Sequence, residues 1–230
     1  MIVLTGDVHG KFNRIWDFCK KMTTSRAEIM IILGDAGINF DGGARDAAVK
    51  RDLKNLPIQL LIVHGNHEMR PESVGTYEEI EWRGGIVYVE PQYPHLLFAK
   101  DGEIYDIACQ KCIAIGGAYS VDKPLRLARG WPWFADEQPS KEIKARVEQR
   151  LAAVGWKVDV VLSHTCPLKY EPREVFLKGI DQSGVDKSTE IWLDSIEDKL
   201  DYDQWFAAHF HCAKKIDRMR FLFEDFRRIG

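Results

Sequence analysis

Five short apolar runs recur along the chain, each ending in or soon followed by a small residue and then by an aspartate, an asparagine or a histidine: Ile2–Thr5, Ile29–Leu33, Ile58–Val63, Val158–Ser163 and Gln204–Ala207. Runs of this length, rich in β-branched residues and without alternation, read as strands buried on both faces. Between the first three lie segments of helical period. Phe12, Ile15, Trp16 and Cys19 share one face of a helix predicted over Lys11–Met22, and a second helix is predicted over Ala44–Asn55, ended by Pro57. This βαβαβ alternation predicts a parallel sheet with right-handed crossovers.

The pattern changes in the middle. Ile86–Val89, Leu96–Ala99, Glu103–Ile107 and Cys112–Ile115 are short strand-like runs separated by Pro, Asp-Gly and Gly-Gly turn signals. They are expected to form a second sheet of antiparallel or mixed strands. Gly116–Gln138 then loses periodicity and is rich in Gly, Pro, Trp and Arg, a length of irregular chain that is often functional. Ser140 is a suitable N-cap for a helix presenting Ile143, Val147, Leu151 and Val154 on one face, with Gly155 as its stop. After Val158–Ser163 come a polar loop of about twenty residues, a helix near Lys187–Leu200, the strand Gln204–Ala207, and a hairpin from Lys214–Asp217 and Arg220–Glu224. No repeat, low-complexity tract or linker interrupts this order, so residues 1–230 are read as a single domain.

Composition narrows the class. An apolar content of 45% and a charged content of 29% suit a packed α/β core, and a net charge of −3 carries no nucleic-acid signature. It leaves room for a small phosphorylated ligand, because metal ions would supply positive charge that the count omits. Met1-Ile2-Val3-Leu4 runs straight into a motif, so no secretory leader is expected, and no apolar run approaches a membrane span. The five cysteines have no framework spacing, which fits a reducing cytoplasm. Cys109 and Cys112 form a C-x-x-C, read as two ordinary cysteines near a hairpin turn in preference to a redox or zinc pair.

The chemistry sits where the apolar runs stop. The motifs are Gly6-Asp7-Val8-His9-Gly10, Leu33-Gly34-Asp35, Gly65-Asn66-His67-Glu68, Ser163-His164 and His209-Phe210-His211. Asp7 and His9 would share a face on a continuing strand and could reach one ion. Each motif alone has a bland reading: a polar loop for the first, a common strand-Gly-Asp turn for the second, a satisfied structural histidine for His164. Together, carboxylates, a neutral amide and imidazoles at strand ends are the donors that two neighbouring divalent metals need. Asp35 could give one oxygen to each ion, and His67 could face a leaving group instead of a metal. His64 stands beside this set, and His95 is assigned no role.

The motif order resembles that of the calcineurin-like metallophosphoesterase superfamily: D-x-H, G-D, G-N-H-[E/D], a lone H, and G-H-x-H. It spans Asp7 to His211, with Ala208 in place of the last glycine. The resemblance implies an α/β fold, a two-sheet αββα sandwich with the metal site at the strand carboxyl ends. It implies that Asp7, His9, Asp35 and His211 hold one metal and that Asp35, Asn66, His164 and His209 hold the other. Manganese foremost, or iron, zinc, nickel or cobalt, suits such donors. The implied reaction is attack on a phosphate mono- or diester by a hydroxide that two metals activate, with His67 protonating the leaving group.

The chain departs from the protein serine/threonine phosphatases and the bacterial dinucleoside tetraphosphatases like them. Their second motif continues G-D-x-x-D-R-G, where Ile38 and Asn39 stand here, and His64 replaces the arginine before G-N-H-E. Two guanidinium clamps are therefore missing. Replacements are sought in Gly116–Gln138, which looks like a stretch of small bacterial and phage members: Arg126 and Arg129 for phosphate, Tyr119, Trp131 and Trp133 for stacking on a base, against the alternative that the tryptophans only pack the loop. Arg45 and Arg70 are secondary candidates. A nucleotide or nucleic-acid-like ester is favoured over a phosphoprotein or dinucleoside polyphosphate, and a non-catalytic scaffold would require lost ligands, which this chain does not show.

Overall fold

Four-residue strands of Ile, Val and Leu can be buried on both faces only between layers, and the computed structural model, which describes residues 1–176 and 182–230, stacks them in that way. Among the described residues, one sheet has seven strands in the order β13-β1-β2-β3-β6-β5-β4 and the other has six, β11-β12-β10-β9-β8-β7. The strands are β1 (Ile2–Thr5), β2 (Ile29–Ile32), β3 (Gln59–Ile62), β4 (Glu78–Trp82), β5 (Gly85–Val89), β6 (Leu96–Ala99), β7 (Ile104–Ile107), β8 (Gln110–Ile115), β9 (Val160–Ser163), β10 (Gln204–Ala207), β11 (Lys214–Ile216), β12 (Met219–Phe221) and β13 (Phe226–Ile229). The helices are α1 (Asn13–Met22), α2 (Ala44–Leu53), α3 (Lys123–Arg129), α4 (Lys141–Ala153) and α5 (Ser188–Glu197).

Alternation along each strand divides the core. Leu4, Ile29, Ile31 and Leu61 meet Ala114, Leu162 and Phe206 between the two sheets. Val3, Met30, Ile32 and Leu60 face outward onto Ile15 and Cys19 of α1. On the far side Ile113, Val161 and Trp205 face Val147 and Leu151 of α4 and Trp192 and Leu193 of α5. The result is the αββα sandwich that the motif order implies. Each fully buried Leu, Ile or Phe adds about 1.5–3 kcal/mol, so the shared middle layer fixes the two sheets against each other.

Strand direction places the chemistry. β1, β2 and β3 run parallel, as do β8, β9 and β10. The loops after these strands open on one rim, as is usual for parallel sheets.

The structure corrects several sequence expectations. β5 and β6 do not begin the second sheet: β6 pairs parallel with β3, Leu60 opposite Leu96, so the hairpin extends the first sheet. Turn signals reveal a hairpin but not which sheet edge receives it. β4 and β13 escape the sequence pattern, since Glu-Glu-Ile-Glu-Trp and Phe-Arg-Arg-Ile are polar edge strands held by their partners. α3 lies inside the segment read as irregular and buries none of its residues, so it has no apolar stripe to detect. The last hairpin is shifted, with β11 and β12 pairing Ile216 with Met219. Ser140 caps α4 as expected, its hydroxyl accepting from the Ile143 N–H at 3.3 Å. Ala108 and Cys109, both at positive φ, make the β7–β8 turn, which holds the first cysteine of the C-x-x-C. Residues 177–181 of the polar loop lie outside the described residues.

Candidate metal centre

Asp7 and His9 do not reach the site along a strand, as the sequence spacing suggests. β1 ends at Thr5, and the chain turns, with His9 at φ +50°. Asp35, His209 and His211 also have positive φ, at +48°, +63° and +49°. Non-glycine residues rarely occupy this region, and several together mark a site where backbone strain is held by its surroundings.

The turns bring the seven expected donors together in two groups. In the first, His9 Nε2 lies 3.0 Å from His211 Nε2, and His211 Nε2 lies 2.8 Å from Asp7 Oδ2. One donor atom each from Asp7, His9 and His211 falls within 4.8 Å of the others. In the second, Asn66 Oδ1 is 2.8 Å from His164 Nε2 and 3.1 Å from His209 Nδ1. Asp35 stands between them: Oδ2 is 3.9 Å from His9 Nδ1, and Oδ1 is 3.7 Å from His164 Nε2.

These donors fit a cation. Asp7 Oδ2 is buried, and its close neighbour is the His211 imidazole, 2.8 Å away. Two imidazole lone pairs repel at 3.0 Å unless a proton or a cation lies against both. The protonation states agree. Burial, and His164 beside it, push His209 down to about 3, and burial lowers His9, so both offer lone pairs near neutral pH. The hydrogen bond with Asp7 raises His211 instead. Burial would raise Asp35, but the imidazoles of His164, His67 and His9 outweigh it and hold the carboxylate ionised.

Neighbours orient the donors. His164 Nδ1 donates to the Leu33 carbonyl at 2.7 Å, which leaves Nε2 free to ligate. The His67 N–H donates to Asp35 Oδ1 at 2.9 Å, and the His209 N–H to Asp7 Oδ1 at 3.2 Å. Asn66 Nδ2 donates to Ser120 Oγ at 2.9 Å, which turns Oδ1 toward the histidines. Sequence reasoning missed Ser120; the signal was its place just beyond β8, whose carboxyl end opens on the same rim as β9. Buried Glu68 accepts from the Gly65 and Gly37 N–H groups and ties the β3 loop to the β2 loop; burial and Asp35 hold its carboxyl well above the usual range.

The family model for calcineurin-like phosphoesterases matches residues 1–213. The chain belongs to that family. Its activity is therefore metal-dependent hydrolysis of phosphoesters, with divalent metals as cofactors and a phosphorylated compound as substrate. Among solved structures, TT1561 of Thermus thermophilus is 14% identical, with a TM-score of 0.50 over 96% of this chain and 87% of that one. Phosphopantetheinyl hydrolase of Mycobacterium tuberculosis is 14% identical, at TM-score 0.36 over 96% and 87%. A protein serine/threonine phosphatase of Saccharomyces cerevisiae is 12% identical, at TM-score 0.32 over 96% and 66%. No curated protein matches. No helix of the described residues is long and apolar enough to cross a membrane.

In this phosphoesterase a cleft of about 100 Å³ opens beside the centre, lined by His9, Gly37, Phe40, Arg45, His67 and Arg126. His67 Nε2 is 3.9 Å from Asp35 Oδ2, so it stands at the edge of the donor set; burial lowers its pKa. Of the residues singled out in Gly116–Gln138, Arg126 alone lines the cleft. Arg129 and Trp131 face each other, the guanidinium 4.9 Å from the ring, and Trp131 is 46% exposed. Tyr119 and Trp133 both lie against the Lys123 ammonium, and Trp133 Nε1 donates to Glu137 Oε2, so Trp133 packs the loop. Arg70 is buried and paired with Asp101 Oδ2 at 2.5 Å, a structural role. Neither Ile38, fully buried, nor Asn39, which accepts from Tyr77 Oη at 3.1 Å, presents a cation to the cleft.

Proposed function

We propose that the chain is a dinuclear-metal phosphoesterase that hydrolyses a mono- or diester of a small phosphorylated molecule, a nucleotide or nucleic-acid-like ester being favoured. One observation carries the two-ion reading: the Asp35 oxygens face separate donor groups, Oδ2 toward His9 and Oδ1 toward His164. Asp7, His9, Asp35 and His211 would hold one ion, and Asp35, Asn66, His164 and His209 the other, manganese being the best match to this donor set. When bound, such ions supply Lewis acidity toward phosphoryl oxygens and bring the ionisation of water near neutral pH.

The chain's own groups do the rest. The small cleft seats the phosphoryl end, with Arg126 at its wall. His67 reaches the same space and carries a proton to the departing oxygen, where its lowered pKa makes it a ready donor once protonated. Ser120 and the Leu33 carbonyl keep Asn66 and His164 in their working orientations. Exposed Trp131 offers a nucleoside a surface on the segment that carries Arg126, its N–H bonded to the Arg126 carbonyl at 2.9 Å. The phosphoprotein and dinucleoside polyphosphate readings lack the arginines that Asn39 and His64 replace and the carboxylate that Ile38 replaces. We place the enzyme in the cytoplasm on its cysteine usage, with residues 1–230 acting as one domain.

Elemental analysis of manganese-loaded protein, paired with hydrolysis of chromogenic phosphate esters, tests this reading. Two equivalents of metal that Asp35→Ala loses together, along with activity, are expected. A single retained equivalent in an active enzyme would remove the bridging role of Asp35.

A further inference from the structure

We infer that Arg45 and Arg126 form a two-guanidinium clamp that selects a dianionic terminal phosphoryl group, so that phosphomonoesters are preferred to diesters. The inference rests on the hydrolase reading above and narrows its substrate class.

Four basic side chains, Arg45, Arg126, His9 and His67, line the cleft of about 100 Å³, and its aromatic wall is Phe40. Pockets that enclose drug-sized ligands are about 300–1,000 Å³, so this cleft suits a phosphoryl group, and the rest of a substrate extends beyond it. A monoester sets only its terminal oxygens there, whereas a diester must also place a second organic substituent near the centre. The monoester also brings a second negative charge at neutral pH.

The two arginines come from different elements, and Arg126 is held in place. Arg126 Nε donates to Asp122 Oδ1 and Oδ2 at 2.8 and 2.9 Å, and Nη1 donates to the Pro132 carbonyl at 3.1 Å. Among the described residues Nη2 has no acceptor. The Arg45 guanidinium lies 4.4 Å over the Phe40 ring and has no carboxylate partner among the described residues. Its helix is pinned at the start, where buried Asp46 Oδ2 accepts from the Asp41 and Gly42 N–H groups at 2.9 and 2.7 Å. It is pinned again at its last turn, where Lys50 and Glu90 form a buried ion pair at 2.6 Å. A fork-shaped donor held before binding, as Arg126 is, loses less freedom on meeting a phosphoryl group, and two guanidinium forks match two charges. Asp122 offsets part of the charge of Arg126, which leaves Arg45 as the uncompensated cation.

The test uses manganese-loaded enzyme with para-nitrophenyl phosphate and bis(para-nitrophenyl) phosphate, comparing wild type with Arg45→Gln, Arg126→Gln and Arg45→Lys. Wild type should favour the monoester in kcat/KM. Each glutamine variant should lower the monoester-to-diester ratio about tenfold, chiefly through KM, as losing one charge-assisted contact implies. Arg45→Lys should recover part of the ratio, since it restores charge without the fork. Calorimetric titration with inorganic phosphate, which involves no turnover, should show weaker binding in both glutamine variants. A wild-type preference for the diester overturns the clamp, as does a ratio and a phosphate affinity unchanged in both variants. A wild type that binds phosphate through both arginines yet cleaves neither ester would overturn the hydrolase reading and leave the clamp standing.

Discussion

At the scale of single residues, Gly34 has little freedom to change. Its φ is +96°, and a Cβ there would sit 2.1 Å from His164 Nδ1, on the side of the ring that bonds the Leu33 carbonyl. Gly34→Ala therefore meets two penalties, a strained backbone and a displaced imidazole. It should destabilise the fold by about 1–3 kcal/mol and weaken metal retention, which a thermal melt and elemental analysis would register together. His67 makes the opposite case. It lies beside the donor set and not within it, so His67→Asn should lower kcat by about 10²–10⁴-fold with metal content unchanged; loss of metal in that variant would remove it from the acid role. These residues were legible in the sequence because Asp, Asn and His at strand ends are chemically distinctive. Ser120 and Arg45 were harder to find, since a serine or an arginine acquires its role only from what the fold sets against it.

Among the elements, the strands that deliver the candidate ligands were readable from their apolar runs, because burial on both faces leaves little choice of residue. β4, β13 and α3 were not, because two are polar edges defined by pairing and the third buries nothing. α5 carries a further consequence. Its buried Glu190 accepts from Thr165 Oγ1 at 2.7 Å and so braces the residue after His164, while its Oε2 has no hydrogen bond among the described residues. Burial raises the Glu190 pKa above the usual carboxylate value. A carboxyl raised in the folded state binds its proton more tightly there than when unfolded. Its contribution is thus most favourable below the unfolded pKa and is lost as pH rises through the folded one. Glu190→Gln cannot ionise, so its melting temperature relative to wild type should climb as pH is raised from the mid-fours toward neutrality. A difference that stays flat across that range would show that Glu190 is not desolvated in solution.

For the whole molecule, the carboxylates and imidazoles proposed as ligands would also set how far the fold depends on metal. β1 and β2 of one sheet and β10 of the other converge on Asp7, Asp35, His209 and His211, so any cation there ties the two sheets together at their rim. The unfolded chain offers no such arrangement, and a ligand that binds only the folded form stabilises it by RT ln(1 + [L]/Kd), about 2.7 kcal/mol at a hundred times Kd. For a chain of this length that corresponds to roughly 5–10 °C in melting temperature. Chelator-treated protein should melt lower by about that amount, and graded manganese should restore it with the concentration dependence of binding. Asp35→Ala separates this effect from general salt stabilisation: with the shared carboxylate gone, its melting curve should respond little to either chelator or manganese. If wild type and Asp35→Ala respond alike, the cation acts elsewhere on the surface, and the convergence of the seven donors is a feature of the fold without a metal to hold.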